Sequence, residues 1–233
     1  MRNRVVKHTG INMTWLKILA MTAMIFDHWS IGYNYHHPLF HYQILLRLPG
    51  RISIPLFAFM IAYNFIYWSK HRFNYVLRIW VLASVSEPIY AYYFQSFGNA
   101  FVPLAFGSLY VLILDSNANT VKKALLLGGT WLLNMGEFEL TGQFEILACA
   151  MLIVVFWRLL KTHNWVWLLA SLPLMLTLNE IIWQTVLMVF VSYALIAIAY
   201  NTHWFPKLRM NKWIGYWFYP ASLMALVGIW GQS

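Results

Sequence analysis

The segment from 13 to 33, MTWLKILAMTAMIFDHWSIGY, most constrains what this chain can fold into. As a helix rising ~1.5 Å per residue it reaches roughly 30 Å, the thickness of a bilayer's hydrocarbon core. It carries Lys17 near its start and the pair Asp27-His28 near its end. Ionisable groups are costly inside such a segment and mark function there by default. The basic stretch MRNRVVKHTG precedes it with no small-residue cleavage site after it, so it reads as an uncleaved first span.

The rest of the chain has the same character. Of 233 residues, 61% are hydrophobic and 10% charged, where a soluble domain carries about 25% charged. Apolar runs recur at 13–33, 52–69, 74–94, 101–114, 122–136, 143–161, 164–179, 181–200 and 213–230. The predicted fold is therefore all-α: a polytopic integral membrane protein of about nine transmembrane helices (8–10), forming one domain over 1–233. Several runs are short, which predicts tilted, broken or re-entrant segments, with 101–136 the least regular. With the N-terminus cytoplasmic, 14 of the 16 Lys and Arg residues fall on the cytoplasmic side: Arg2, Arg4, Lys7, Lys17, Lys70, Arg72, Arg78, Lys122, Lys123, Arg158, Lys161, Lys207, Arg209 and Lys212. Arg47 and Arg51 break the pattern at the outer mouth of the second span. The net charge of +9 is thus explained by topology, with no nucleic-acid partner required. Trp and Tyr near span ends, among them Tyr90, Tyr92, Tyr93, Trp213, Tyr216 and Trp217, read as interface anchors. The single cysteine, Cys149, sits in an apolar run and reads as a small buried hydrophobe.

Threading the spans places Asp27, His28, Arg51, Glu87, Asn99 and Glu145 at similar depth near the outer leaflet. Rare polar groups at one level of a bundle predict one buried polar site. His28 can take a proton from a nucleophile and return it to a leaving group. Its orienting acid is Asp27 or Glu87; neighbours on a helix diverge by about 100°, so Asp27 does not face His28 directly. Arg51 either pairs with Asp27 or steadies a developing oxyanion. Lys17 and His28, eleven positions apart, share one helix face about 16 Å apart along it. A long anionic molecule could be held at Lys17 with its far end at His28; Lys17 snorkelling to inner phosphates is the plainer alternative. His36, His37 and His41 lack metal-ligand spacing, so no metal is expected.

Those residues carry a resemblance. KILAMTAMIFDH, GRISIPLFAFMIAYNF, FNYVLRIWVLASVSEPIYAYYF, GNAFVPLAF and the closing FYPASLMAL resemble the TraX family over most of the chain, most clearly from Lys17 to Phe106. Asp27, His28, Gly50, Arg51, Pro55 and Phe57 stand at family motif positions, with Glu87 and Asn99 matching more loosely. The family is in turn similar to the larger, acyltransferase-3-like group of integral-membrane acyltransferases. That group has a basic residue eleven positions before a first-span histidine, here Lys17 and His28, and basic residues after the second span, here Lys70, Arg72 and Arg78. One departure is visible: Ser222 stands where family members often carry a histidine after the last-span tyrosine, here Tyr219.

The resemblance implies a multi-pass enzyme of the bacterial inner membrane, encoded with conjugative transfer. It would move an acetyl group from cytoplasmic acetyl-CoA, as co-substrate, to the N-terminal amine of a pilin-like peptide. His28, Asp27, Arg51 and Glu87 would then be catalytic, Lys17, Arg72 and Arg78 would bind acyl-CoA, and Asn99, Glu145, Tyr219 and Ser222 would line the pocket, amid membrane lipids. Direct transfer and an acyl-histidine route both stay open. So do O- or N-acyl transfer to a sugar or lipid, a proton-coupled transporter or flippase, and a pilus-assembly scaffold.

Overall fold

The computed structural model describes residues 13–36, 47–95, 98–141, 144–177, 182–201 and 210–230. Arg2, Arg4, Lys7, His37, His41, Gln143, Lys207 and Arg209 lie outside them, as does the side chain of Glu145. The described residues are helical almost throughout. The helices are α1 (Met13–His36), α2 (Ser53–Tyr67), α3 (Arg72–Phe94), α4 (Phe101–Asp115), α5 (Thr120–Thr141), α6 (Phe144–Thr162), α7 (Val166–Thr177), α8 (Ile182–Asn201) and α9 (Lys212–Trp230). A 3-10 turn, Leu48–Ile52, leads directly into α2.

Each apolar run of the sequence corresponds to one helix. Even 101–136 resolves cleanly into α4 and α5, parted where Ser116 accepts no further helical turn and Asn119 caps the next helix through the amide of Lys122 at 2.8 Å. Among the described residues, one helix, Leu48–Tyr67, is long and apolar enough to cross a membrane; Phe101–Asp115, Val166–Thr177, Val186–Tyr200 and Trp213–Ile229 are apolar but shorter. The helices α1 and α3 have 24 and 23 residues, and their embedded charges hold their hydropathy down.

The centre of the bundle is α2, α4 and α6, packed against one another. Leu56, Ala58, Phe59 and Ala62 of α2 meet Leu152, Ile153 and Phe156 of α6 in that core. Phe59 and Phe156 cross edge to face at 5.6 Å. Around this centre α1 packs on the Leu48–Ile52 turn, α2 and α9, and α9 packs on both α1 and α3. The hairpin α3–α4 is closed at both ends by polar bonds. Arg72 at the start of α3 ion-pairs with Asp115 at the end of α4, and Glu87 near the end of α3 binds Gly98 and Asn99 before α4. Asp115 also takes Lys161 of α6 at 2.6 Å. Three stretches the sequence assigned to one membrane face, around Arg72, Lys123 and Lys161, thus meet at one end of the bundle; Lys123 donates to the Leu114 carbonyl there at 3.2 Å.

Candidate active site

Asp27 and His28 point to different neighbours, as adjacent helical residues must. Asp27 faces the Leu48–Ile52 turn. A Cβ added at Gly50 would stand 2.8 Å from Cγ and Oδ1 of Asp27 and would strike its Cβ, so only glycine lets the turn approach this closely. Arg47 then donates from Nε to Asp27 Oδ1 at 3.4 Å. Arg51 follows Gly50 in the same turn and is half-buried. Arg47 of this turn thus forms an ion pair with Asp27 of the first span.

His28 faces inward and is 6% exposed. Its ring sits among three aromatic rings: Phe94 at 5.3 Å and Tyr90 at 6.5 Å, both on α3 and both edge-on, and Tyr219 of α9 at 5.7 Å. Nδ1 of His28 has no hydrogen-bond partner among the described residues. Buried polar atoms are nearly always paired, so an orphan on an imidazole invites a ligand or substrate.

Glu87 does something other than orient that imidazole. Its Oε1 accepts the Gly98 amide at 2.7 Å, and its Oε2 accepts the Asn99 amide at 3.1 Å and the Asn99 side-chain amide. Gly98 has φ of 92°, a conformation that favours glycine. Asn99 is fully buried; it also donates to the Ala83 carbonyl at 2.9 Å and accepts the Phe101 amide at 2.8 Å. Glu87 and Asn99 therefore lock the α3–α4 connection and fix Phe101. Phe101 in turn packs edge-on against Tyr219, with ring centres 4.7 Å apart. The expectation that Glu87 orients His28 gives way to a positioning role, because its oxygens are committed to three donors.

Lys17 lies against α9, as does His28, which is what one shared face of α1 requires. Its ammonium is 5.9 Å from the centre of the Tyr216 ring, and Arg78 of α3 approaches the same ring at 5.7 Å. Gly215 is the reason Lys17 fits: a Cβ there would occupy the place of Lys17 Nζ and Cε. Lys17 and Tyr216 border a cavity of about 240 Å³ between α1, α2, α3, α4 and α9, whose other polar lining is Asn64 and Tyr75. Phe57, Ile79, Leu82 and Phe101 are among its apolar walls. The cavity thus begins at a cation and reaches Phe101, one aromatic contact from Tyr219 and two from His28.

The remaining candidates divide. Arg78 belongs to the Lys17 cluster, whereas Arg72 is bound to Asp115 and stacks over Phe65 at 5.2 Å. Tyr219 is in the His28 box. Ser222 turns its hydroxyl back onto the Tyr219 carbonyl at 2.8 Å, a bond within its own helix. Sequence reasoning missed Arg47, Phe94 and Phe101 as site residues, and took Tyr90 and Tyr216 for interface anchors. Only Arg47 gave a warning, as a cation on the wrong side of the charge pattern.

No curated protein and no solved structure matches the chain. A family model described as TraX protein matches residues 12–230. Gly50 of the turn packs directly on Asp27 of the first helix, and the chain, matched over 12–230, belongs to the TraX family.

Proposed function

We propose that this protein is a membrane-embedded N-acetyltransferase. It moves an acetyl group from cytoplasmic acetyl-CoA to the N-terminal amine of a pilin-like peptide in a bacterial inner membrane, in a conjugation context. The observation that carries the reading is the buried His28 with its unpaired Nδ1, two aromatic contacts from a cavity lined by Lys17.

A nine-span, N-in arrangement is supported by the outer surface. Leu77, Val81 and Val85 form an i, i+4, i+8 stripe on α3 that is about half exposed, and Val121, Leu125, Leu132 and Leu133 stand out from α5. Faces like these suit lipid. Trp68 and Trp165 are exposed beside the basic end formed by Arg72, Lys161 and Arg158, where a cytoplasmic interface would lie.

In this reading the anionic CoA head group meets Lys17 and Arg78, and its arm enters the cavity between α2, α3, α4 and α9. The acceptor comes from the opposite side, over the turn that carries Arg47 and Arg51, and reacts as the neutral amine. His28 takes the amine proton as nitrogen attacks the thioester carbon, then returns it to the departing thiolate. An imidazole in an apolar box suits this role, since water that would hydrolyse the thioester is kept out. Glu87 and Asn99 act at one remove, by holding Phe101 against Tyr219.

Intact-mass analysis of a co-expressed pilin-like peptide tests the proposal. An acetylated N-terminus is expected with the wild-type protein and is absent with His28→Ala. Unmodified peptide in the presence of stable, membrane-inserted wild-type protein would sink it.

A further inference from the structure

The box around His28 holds a second polar atom without a partner. Tyr219 is 1% exposed, and its hydroxyl makes no hydrogen bond of acceptable geometry among the described residues. Leaving a buried hydroxyl unpaired is costly, and two such atoms in neighbouring rings are seldom left so without a reason. The rings of His28 and Tyr219 lie 5.7 Å apart, inclined by 58°. Tyr219 also packs on Phe101, which lines the Lys17 cavity. Tyr219 therefore touches both the imidazole and a wall residue of that cavity. The cations Arg47 and Arg51 belong to the turn on the Asp27 side of α1, about 100° round the helix from His28.

We infer that Tyr219 is a further catalytic residue of the acyl transfer proposed above: its hydroxyl donates to the acyl oxygen of the thioester, the role otherwise expected of Arg51. The inference rests on the acyltransferase reading. As the amine nitrogen bonds to the acyl carbon, His28 accepts the amine proton, and the carbonyl electron pair moves onto oxygen. The Tyr219 O–H holds that oxyanion without transferring its own proton. Collapse re-forms the C=O bond and breaks the C–S bond, and the thiolate takes the proton back from His28. Amine and thioester become amide and thiol, and both side chains end as they began.

The test uses full-length protein in lipid nanodiscs with acetyl-CoA and a peptide bearing a free N-terminal amine. Tyr219→Phe keeps the ring that packs on His28 and Phe101 and removes only the hydroxyl. It is expected to lower kcat by about 10²–10³-fold, the loss typical of one oxyanion donor, while KM for acetyl-CoA moves by less than about 3-fold. Its thermal midpoint should be unchanged or higher, because an unpaired hydroxyl has been deleted. A kcat within about 3-fold of wild type overturns the inference, even where Tyr219→Ala is inactive, since the ring alone would then matter. A lowered midpoint overturns it too, by showing that the hydroxyl has a structural partner. Active wild type with inactive His28→Ala and normal Tyr219→Phe refutes this inference alone; wild type that transfers no acetyl group refutes the function and removes this inference with it.

Discussion

Glu87→Gln separates a structural carboxylate from a chemical one. Three donors converge on Glu87: the Gly98 amide at 2.7 Å, the Asn99 amide at 3.1 Å and the Asn99 side chain. Glutamine keeps the shape but has one acceptor oxygen. Its best orientation keeps that oxygen on Asn99 and turns its NH₂ toward the Gly98 N–H, so one bond to a charged acceptor is lost and two donors oppose each other. A bond of that kind contributes about 1.5–3 kcal/mol. For a chain of this size that corresponds to a fall of roughly 3–12 °C in the unfolding midpoint. Cys149 offers a convenient reporter. It is the single cysteine and is 1% exposed, so a fluorogenic thiol dye reacts only as the bundle opens. Activity should fall in step with stability and recover when the assay is run well below the new midpoint. An unchanged midpoint with activity abolished would refute the argument and return Glu87 to the role of an acid acting on His28.

Two glycines give sharper contrasts. Gly50→Ala drives a methyl into the root of the Asp27 side chain, which cannot swing away, so overpacking should cost about 1–3 kcal/mol and weaken the Arg47 contact; a thermal midpoint equal to wild type would show that α1 does not seat against the turn. Gly215→Ala instead meets the flexible end of Lys17, so stability should change by less than about 0.5 kcal/mol. The ammonium would leave the Tyr216 ring, and KM for acetyl-CoA should rise about 2–5-fold, the equivalent of one cation–π contact; an unchanged KM would remove Lys17 from donor binding.

The helices were legible in the sequence because each is an apolar run bounded by polar or basic residues, and a run of that kind has few alternatives. The site was legible where chemistry is unusual for its setting: Asp27, His28 and Lys17 in an apolar helix, and Gly50-Arg51 at its neighbour's mouth. What joins distant helices was not. Asp115 went unnoticed as the partner of Arg72 and Lys161, which lie 43 and 46 positions away, because ion pairs at that range leave no periodic trace. Tyr90, Phe94 and Phe101 were hidden by their own abundance: in a chain that is 18% aromatic, a ring that lines a site looks like a ring that anchors an interface. Glu87 was read as reactive because burial makes a carboxylate look costly. Its three donors from the Gly98–Asn99 connection remove that cost, and only the fold brings them to it.

The most direct test of the account is acetyl transfer by the purified full-length protein, reconstituted in nanodiscs with acetyl-CoA labelled in its acetyl group and a peptide with a free N-terminus. Label should appear on the peptide amine as CoA is released, and His28→Ala should lower the rate by about 10²–10⁴-fold, the range for loss of a general base, while the bundle keeps its thermal midpoint. Transfer by His28→Ala at the wild-type rate, with the peptide labelled at the same amine, would contradict the central claim that the imidazole in the Tyr90–Phe94–Tyr219 box moves the proton.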